Sequence, residues 1–178
     1  HQSLITKKMS PSIIKGNSHT DERGTITYNN DYDASEIKRI YFIENKDVDF
    51  VRGWQGHKVE QRWFSAVQGS FKITTIAIDN WEKPSQTLEQ AEHVLQATSF
   101  DVLHVPQGFI TSIQALEENA KLMALSDYNL GTIKDDFNKL ISFQEVDELE
   151  LLFILSNIDK KITLFNLASK SIFQNSFE

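Results

Sequence analysis

The chain contains no cysteine. That absence excludes disulfide bonds, thiolate nucleophiles and cysteine-ligated metal sites, and it is compatible with the cytoplasm. Positive charge is also scarce, because 18 Lys and Arg residues stand against 25 Asp and Glu residues and give a formal net charge of −7. Contacts to phosphates dominate nucleic-acid affinity, so we expect no nucleic acid as a partner of this acidic domain. A small anionic ligand remains compatible, since a few arginines in one pocket need no basic surface.

Long apolar runs are absent as well. No stretch approaches the roughly 18 apolar residues that a membrane helix requires. No basic segment followed by an apolar one indicates a secretion signal. We therefore expect a cytoplasmic protein that makes no membrane contact. The 178 residues, 40% of them hydrophobic and 24% charged, are within the range of one globular domain with a substantial core.

Short apolar and β-branched runs recur through the first 125 residues, and turn-forming residues separate them. Many short strands with regular turns are typical of a β-sandwich or a β-barrel. The runs that we predict as strands are residues 25–28, 37–43, 63–67, 71–78, 100–105 and 121–125.

Helical signals are sparse. Residues 133–141 place apolar side chains near helical spacing, which predicts a short helix, and residues 87–95 fit either a short helix or a loop. Two further β-like runs, residues 150–155 and 161–167, predict a hairpin near the C-terminal end.

The domain organisation that we expect has two parts. Residues 1–140 form the main domain, and residues 141–178 are a C-terminal extension that adds strands to the same domain. Such an addition covers a sheet edge or builds a dimer interface, and the sequence leaves both alternatives open.

Six short motifs occur in the order and at the spacing found in two related enzyme families. Together they resemble the dTDP-4-dehydrorhamnose 3,5-epimerases and, more closely, the dTDP-sugar 3,4-ketoisomerases. The resemblance covers roughly residues 12–140. The motifs are D-E-R-G at 21–24, I-K-R-I-Y-F-I at 37–43, R-G-W-Q-G-H-K at 52–58, Q-G-S at 68–70, V-P-Q-G-F at 105–109 and S-D-Y at 126–128.

This resemblance implies a mainly β protein, a cupin-type antiparallel jelly-roll β-barrel with few short helices. It also implies a homodimer that works without metal or other cofactor on a nucleotide-linked 4-keto sugar. The chemistry of such an enzyme requires a base that removes a proton next to the ketone, a cation near the enolate oxygen and an acid that returns a proton. It further requires positive charge for the pyrophosphate of the nucleotide.

Metal-binding cupins carry two histidines spaced by one residue, a carboxylate soon after them and a third histidine on a later strand. In this chain those positions fall on Gln55, His57, Arg62 and Thr111. Arginine has no free lone pair and stays protonated, so it is not a metal ligand. We therefore expect no metal site.

The resemblance places the base histidine of both families at Gln55, which accepts no proton at neutral pH. His57 follows two residues later, on the same face of a strand, and is our predicted acid/base. The alternative for His57 is a hydrogen-bonded histidine of the barrel interior. The tyrosine acid of the epimerases falls on Met123, whereas Tyr41 matches a pocket tyrosine of the ketoisomerases. We expect Tyr41 to relay a proton or contact the sugar, with an ordinary strand aromatic as the alternative.

Candidate ligand-binding residues complete the predicted site. The resemblance aligns Arg62 with the lysine that stabilises the enolate oxygen, and it aligns Arg23 and Arg52 with arginines that contact the diphosphate or the sugar. A guanidinium offers a planar fork of donors to phosphate oxygens, although a surface salt bridge is the alternative for each arginine. We also expect Gln55 to contact substrate and Trp81, in a loop, to stack on the nucleotide base.

The sequence thus predicts a metal-independent isomerase of a dTDP-linked 4-keto-6-deoxy sugar, most like a 3,4-ketoisomerase, in the biosynthesis of surface polysaccharide sugars. Its partners would be a nucleotide sugar and a second copy of the chain. One alternative is a 3,5-epimerase. Another is a non-catalytic cupin that binds a nucleotide sugar or carbohydrate and has lost the base histidine at Gln55.

Overall fold

The computed structural model describes residues 9–85 and 87–133, together with the backbone of residues 136–140 and 154–156. Every regular element in this part of the chain is a β-strand. In chain order they are β1 (Ser12–Ile14), β2 (Asn17–Asp21), β3 (Gly24–Tyr28), β4 (Arg39–Ile43), β5 (Val51–His57), β6 (Arg62–Gln68), β7 (Ser70–Ala77), β8 (Gln90–Gln96), β9 (Val102–Val105), β10 (Phe109–Ala115), β11 (Lys121–Ser126), β12 (Asp136–Leu140) and β13 (Ile154–Ser156).

The strands form two large antiparallel sheets and one separate hairpin. The five-stranded sheet has the order β1-β9-β6-β11-β4, and the six-stranded sheet has the order β13-β12-β5-β10-β7-β8. Among the described strands, β2 and β3 pair with each other and with no third strand. The class that the sequence predicts, mainly β and antiparallel, is confirmed.

The main core lies between the two large sheets. It combines side chains of the five-stranded sheet, such as Phe64 and Leu122, with side chains of the six-stranded sheet, such as Phe71 and Ile73. All four are at most 2% exposed. Full burial of a side chain of this size contributes roughly 1.5–3 kcal/mol, so this layer holds the sheets together. The alternation of side chains along each strand then fixes which residues point into the space between the sheets.

The strands predicted from the sequence are all present, with ends that differ by at most two residues. They correspond to β3, β4, β6, β7, β9 and β11.

The helix predicted over residues 133–141 is wrong. Residues 136–140 form β12, which pairs with β5 so that Asp136 lies opposite His57 and Phe137 lies opposite Gly56. The alternative of a helix or loop over residues 87–95 is also wrong, because β8 pairs with β7 along its length. Tertiary pairing overrides weak local periodicity in both segments. The described part of the chain contains no helix, contrary to the few short helices expected.

Near the C-terminal end, β13 overlaps the last two residues of the run predicted over residues 150–155, continues to Ser156 and pairs with β12. The second run of the predicted hairpin, residues 161–167, lies outside the described residues. The division of the chain at residue 140 stays a prediction.

Candidate active site

His57 and Arg62 meet where the two large sheets are joined by a short connection. His57 is the last residue of β5 in the six-stranded sheet, and Arg62 is the first residue of β6 in the five-stranded sheet. Their side chains are buried, with relative exposures of 4% and 3%. The Nη2 atom of Arg62 lies 3.5 Å from Nδ1 of His57. The structure therefore brings together two of the three residues predicted as catalytic.

Glu60, on the connection between β5 and β6, lies beside both residues. Its carboxylate forms an ion pair with Nη1 of Arg62, and its Oε2 atom lies 3.6 Å from Nδ1 of His57 and 3.4 Å from Oγ of Ser126. Glu60 is 6% exposed. The sequence reasoning missed this residue. The available signal was one acidic residue between the two candidates in H-K-V-E-Q-R, residues 57–62. The fold of the connection is what turns this carboxylate toward Arg62 and His57.

The end of β11 holds that connection in place. The backbone N–H of Gln61 donates a hydrogen bond of 2.9 Å to the carboxylate of Asp127, and Ser126 approaches Glu60. The S-D-Y motif at residues 126–128 thus anchors the segment that carries the buried carboxylate.

The electrostatics of the cluster favour a neutral imidazole. Burial, and after it the positive charges of Arg62 and Arg39, together lower the pKa of His57 from 6.5 to about 3. Arginine does not lose its proton in proteins. At neutral pH the site therefore contains an uncharged His57 next to a buried Glu60–Arg62 ion pair.

Arg39 and Tyr41 lie on β4, on the face that points toward the core. The guanidinium carbon of Arg39 lies 4.5 Å from the centre of the Tyr41 ring, and the Tyr41 ring packs against the main core. In the strand register, Ser126 of β11 lies opposite Arg39 on one side and opposite Arg62 on the other. The sequence reasoning singled out Tyr41 but not Arg39, although both belong to the same motif.

Gln55 and Thr111 form a neutral polar surface beside His57. They lie opposite each other on β5 and β10, and Thr111 lies opposite Thr75 on β7. Oγ1 of Thr75 lies 3.1 Å from Nε2 of His93. Gln55 is exposed, whereas His57 two residues later is buried. The polar end of the space between the sheets is thus open to solvent at Gln55.

Arg52 and Arg23 lie outside the cluster. Arg52 is an exposed residue of β5 and lies opposite Ile113. Arg23 lies in the turn of the separate β2–β3 hairpin, where its guanidinium pairs with Asp21 and its side chain is 78% exposed. In the described part of the chain, Arg23 matches the alternative of a surface salt bridge.

Trp81 lies against the opposite face of β5 from the cluster. A Cβ atom placed on Gly56 would lie 2.9 Å from Cζ3 of Trp81, and the Trp81 ring packs on a second cluster that contains Trp54, Ile76 and Ile110. Neighbouring residues of a strand point to opposite faces, so the face that holds Trp81 is not the face that holds His57. This placement argues against the predicted stacking of Trp81 on a nucleotide base in the barrel.

The positions that would hold a cupin metal supply one imidazole, at His57, with Gln55, Arg62 and Thr111 in the other places. Within residues 9–85 and 87–133, no three His, Cys, Asp or Glu residues are grouped to bind a metal ion. The same part of the chain forms no helix long and apolar enough to span a membrane.

Two antiparallel sheets packed on a common core, with a polar cluster at one end, are the architecture of the cupin class. A family model described as "FdtA: WxcM-like, C-terminal" matches residues 9–146. The chain belongs to this family. Among curated protein sequences, none matches the chain.

Solved structures show the same fold. The chain is 21% identical to a variant of the 3,4-ketoisomerase QdtA from Thermoanaerobacterium thermosaccharolyticum, solved with TDP-4-keto-6-deoxyglucose, with a TM-score of 0.58 over 72% of this chain and 87% of that one. It is 20% identical to the TDP-quinovose 3,4-ketoisomerase WlaRB from Campylobacter jejuni, with a TM-score of 0.54 over 72% and 92% of the two chains. It is 16% identical to a dTDP-4-dehydrorhamnose 3,5-epimerase from Bacillus anthracis, with a TM-score of 0.61 over 88% and 95%. The predicted cupin-type barrel and the resemblance to these families are confirmed.

Proposed function

We propose that the chain is a metal-independent isomerase of a dTDP-linked 4-keto-6-deoxy sugar, most like a 3,4-ketoisomerase, that supplies a sugar for surface polysaccharide. The observation that carries this proposal is the buried His57 between Arg62 and Glu60 at the open polar end of the barrel. The family match supports the isomerase class, and the ligand bound to the QdtA variant supports the class of substrate.

Two residues face Nδ1 of His57. Arg62 can donate a hydrogen bond to it, and the carboxylate of Glu60 can accept one from it. When Nδ1 accepts a hydrogen bond from Arg62, the ring proton lies on Nε2, and the imidazole can donate it. When Nδ1 carries the proton and faces Glu60, Nε2 has a lone pair and can accept a proton. An isomerase removes a proton from one carbon and returns a proton to its neighbour, and a ring that can adopt both states meets both needs.

Ligand binding would also tune the basicity of His57. Without a bound anion near the arginines, the pKa of His57 is about 3, so this imidazole is a weak base. A diphosphate or an enolate brings negative charge to the same end of the barrel. Such charge stabilises the imidazolium, so it raises the pKa of His57 toward the range in which proton transfer is efficient.

The remaining roles are assigned as follows. Tyr41 relays a proton or contacts the sugar, Gln55 contacts the substrate at the open end, and Arg52 and Arg23 bind the diphosphate. Arg62, paired with Glu60, holds its Nη2 atom toward His57. We place the protein in the cytoplasm.

We also propose a homodimer. Ile40 and Phe42 point away from the core on β4, each is 58% exposed, and β4 is an edge of the five-stranded sheet among the described strands. An exposed apolar surface next to an unpaired strand edge favours association with a second copy.

Deuterium incorporation tests the proposed reaction. The protein is incubated in heavy water with a dTDP-linked 4-keto-6-deoxy sugar, and incorporation next to the carbonyl is measured by NMR. We expect exchange with the wild-type chain and a loss of at least 100-fold in His57→Ala, since general acid–base groups contribute about 10²–10⁴-fold. The matched control is His19→Ala, which removes an exposed imidazole from β2 and leaves exchange unchanged. Full exchange in His57→Ala would contradict the assigned role.

A binding function is the second candidate, and Gln55 at the position of the family's base histidine is the observation that favours it. Tight dTDP binding by the wild-type chain without any deuterium incorporation would establish this alternative.

A 3,5-epimerase is distinguished from a 3,4-ketoisomerase by the sites of exchange, because the epimerase labels two carbons, whereas the ketoisomerase labels one side of the ketone. Met123, at the position of the epimerase acid, packs with Trp63 and Leu125 in a separate cluster, on the face of β11 that points away from the main core between the sheets. This placement does not favour the epimerase.

A further inference from the structure

The charge of Arg62 is already compensated within the protein. Its Nη1 atom pairs with the buried carboxylate of Glu60, and its Nη2 atom faces His57. Both terminal nitrogens of this guanidinium are thus directed at groups of the protein rather than at a ligand. Stabilising an enolate requires a donor whose charge is directed at the oxygen where negative charge develops.

Arg39 is a different kind of cation. It lies on β4 on the same inward face as Tyr41, is partly exposed, and stacks over the Tyr41 ring at 4.5 Å. Among the described residues it forms no ion pair with a carboxylate, and its contact with the aromatic ring leaves its N–H groups as donors. Ser126 lies between Arg39 and Arg62 in the strand register.

We propose that Arg39, and not Arg62, donates the hydrogen bond that stabilises the enolate oxygen of the sugar. This inference rests on the proposed function. In the step it describes, a base takes the proton from the hydroxyl-bearing carbon next to the ketone, the C–H electron pair forms the carbon–carbon double bond, and the carbonyl pair moves to oxygen. The hydroxyl proton then passes to that oxygen, the hydroxyl oxygen forms the new carbonyl, and the double-bond pair takes up a proton at the former carbonyl carbon. Arg39 binds the enolate oxygen until this proton is taken up, so no oxidant or reductant is required.

Two further observations place Arg39 at the reacting end. The strand register separates it from Arg62 by the one residue Ser126, and its positive charge contributes, after burial and Arg62, to the lowered pKa of His57. Its ring partner is Tyr41, the proposed relay. Arg23 and Arg52, by contrast, are exposed residues outside the His57 cluster, Arg23 in the turn of the β2–β3 hairpin and Arg52 on β5 opposite Ile113.

The test compares Arg39→Gln and Arg39→Lys with Lys38→Gln, which removes the same charge from the neighbouring exposed residue. Two quantities are measured for each, the rate of deuterium exchange into a dTDP-linked 4-keto-6-deoxy sugar and the affinity for dTDP by calorimetry. Loss of one enolate donor lowers rates by about 10²–10³-fold, so we expect a loss of about 100-fold or more in Arg39→Gln. We expect dTDP affinity within about threefold of wild type, partial exchange in Arg39→Lys and no change in Lys38→Gln. Thermal unfolding of each variant verifies that it is folded.

The outcomes separate the two proposals. If the wild-type chain exchanges deuterium and Arg39→Gln exchanges as fast, the role of Arg39 is overturned and the isomerase function stands. If Arg39→Gln loses dTDP affinity as much as exchange, Arg39 binds the diphosphate and the inference is again overturned. If the wild-type chain exchanges no deuterium, the proposed function and this inference fall together.

Discussion

The Nη2 atom of Arg62 lies 3.5 Å from Nδ1 of His57, although the two side chains belong to different sheets. Both are nearly inaccessible to solvent, and the carboxylate of Glu60 lies next to each of them. A buried cation beside an imidazole keeps the imidazole neutral, and a buried carboxylate makes the buried cation tolerable. The properties of this cluster therefore depend on three residues together.

The first prediction concerns pH. The folded-state pKa of His57, about 3, is below its unfolded value of 6.5, so the unfolded chain binds more protons between these two values. The free energy of unfolding therefore falls as the pH drops below the unfolded pKa, by about 2 kcal/mol from this residue between about pH 7 and about pH 5. Urea unfolding at several pH values measures this loss. His57→Gln should show a smaller loss over the same interval, and an identical pH dependence in both proteins would contradict the prediction.

The second prediction concerns Glu60. Glu60→Gln leaves the buried Arg62 without its carboxylate partner, and we expect the free energy of unfolding to fall by about 3–5 kcal/mol. The double variant Glu60→Gln, Arg62→Met removes both charges and should recover most of this loss. Urea unfolding of the two variants measures the difference. A double variant as unstable as Glu60→Gln would show that the ion pair is not the cause.

The third prediction concerns Trp81, which packs against β5 on the face opposite to His57. Trp81→Leu removes part of an aromatic contact, so the free energy of unfolding should fall by about 1–2 kcal/mol. Affinity for dTDP should stay within about twofold, since the ring packs on the face of β5 opposite to the His57 cluster. Trp81→Phe, which keeps a ring, serves as the control. A tenfold loss of dTDP affinity in Trp81→Leu would restore the stacking role that the sequence suggested.

The fourth prediction concerns Gln55, which lies exposed on β5 opposite Thr111. Gln55→His places an imidazole where the related families carry their base, and an exposed position allows that imidazole a pKa nearer to neutral than that of His57. We expect deuterium exchange to rise at least tenfold, since a positioned base contributes about 10²–10⁴-fold. Gln55→Asn, which keeps a neutral amide, should exchange no faster than the wild-type chain. Equal rates in the two variants would show that position 55 does not reach the substrate.

The fifth prediction concerns Phe42 on the edge strand β4. Phe42→Asp places a charge on the exposed apolar surface and should shift the protein from dimer to monomer in sedimentation equilibrium. Val94→Asp is the control, because Val94 is similarly exposed, at 55%, but lies on β8 at the edge of the other sheet. Dissociation by Val94→Asp alone would move the proposed interface to β8.

Much of the fold was readable from local pattern. The runs that became β4, β6, β7 and β11 are short and β-branched and are separated by turn residues, so their strand character follows from propensity. The strands β8 and β12 were not readable. β8 gains its place by pairing with the preceding strand β7, and β12 by pairing with β5, which is far away in the sequence. In both segments the pairing outweighs the local pattern.

The site was readable only in part. His57, Tyr41 and Arg62 stood out because the family resemblance suggests a role for each, whereas it suggests none for Glu60 or Arg39. Glu60 matters because the connection between β5 and β6 turns its carboxylate toward Arg62. Arg39 matters because Ser126 of β11 lies opposite Arg39 on one neighbouring strand and opposite Arg62 on the other, so the register brings both arginines to the same end of the sheet. Both facts depend on contacts between strands.

The sequence by itself determined that this protein is a mainly β domain without thiol chemistry, with the motifs of a cupin family and with glutamine where that family has its base. Those properties depend on residue types and on their spacing along the chain. Only the tertiary structure decided that Arg62 is compensated by Glu60, that Arg39 is not paired with a carboxylate among the described residues, and that Trp81 lies behind β5. Whether a charge has a partner, and on which face of a strand a side chain packs, depend on distances between residues that are separate in the sequence. Pairing between strands sets those distances.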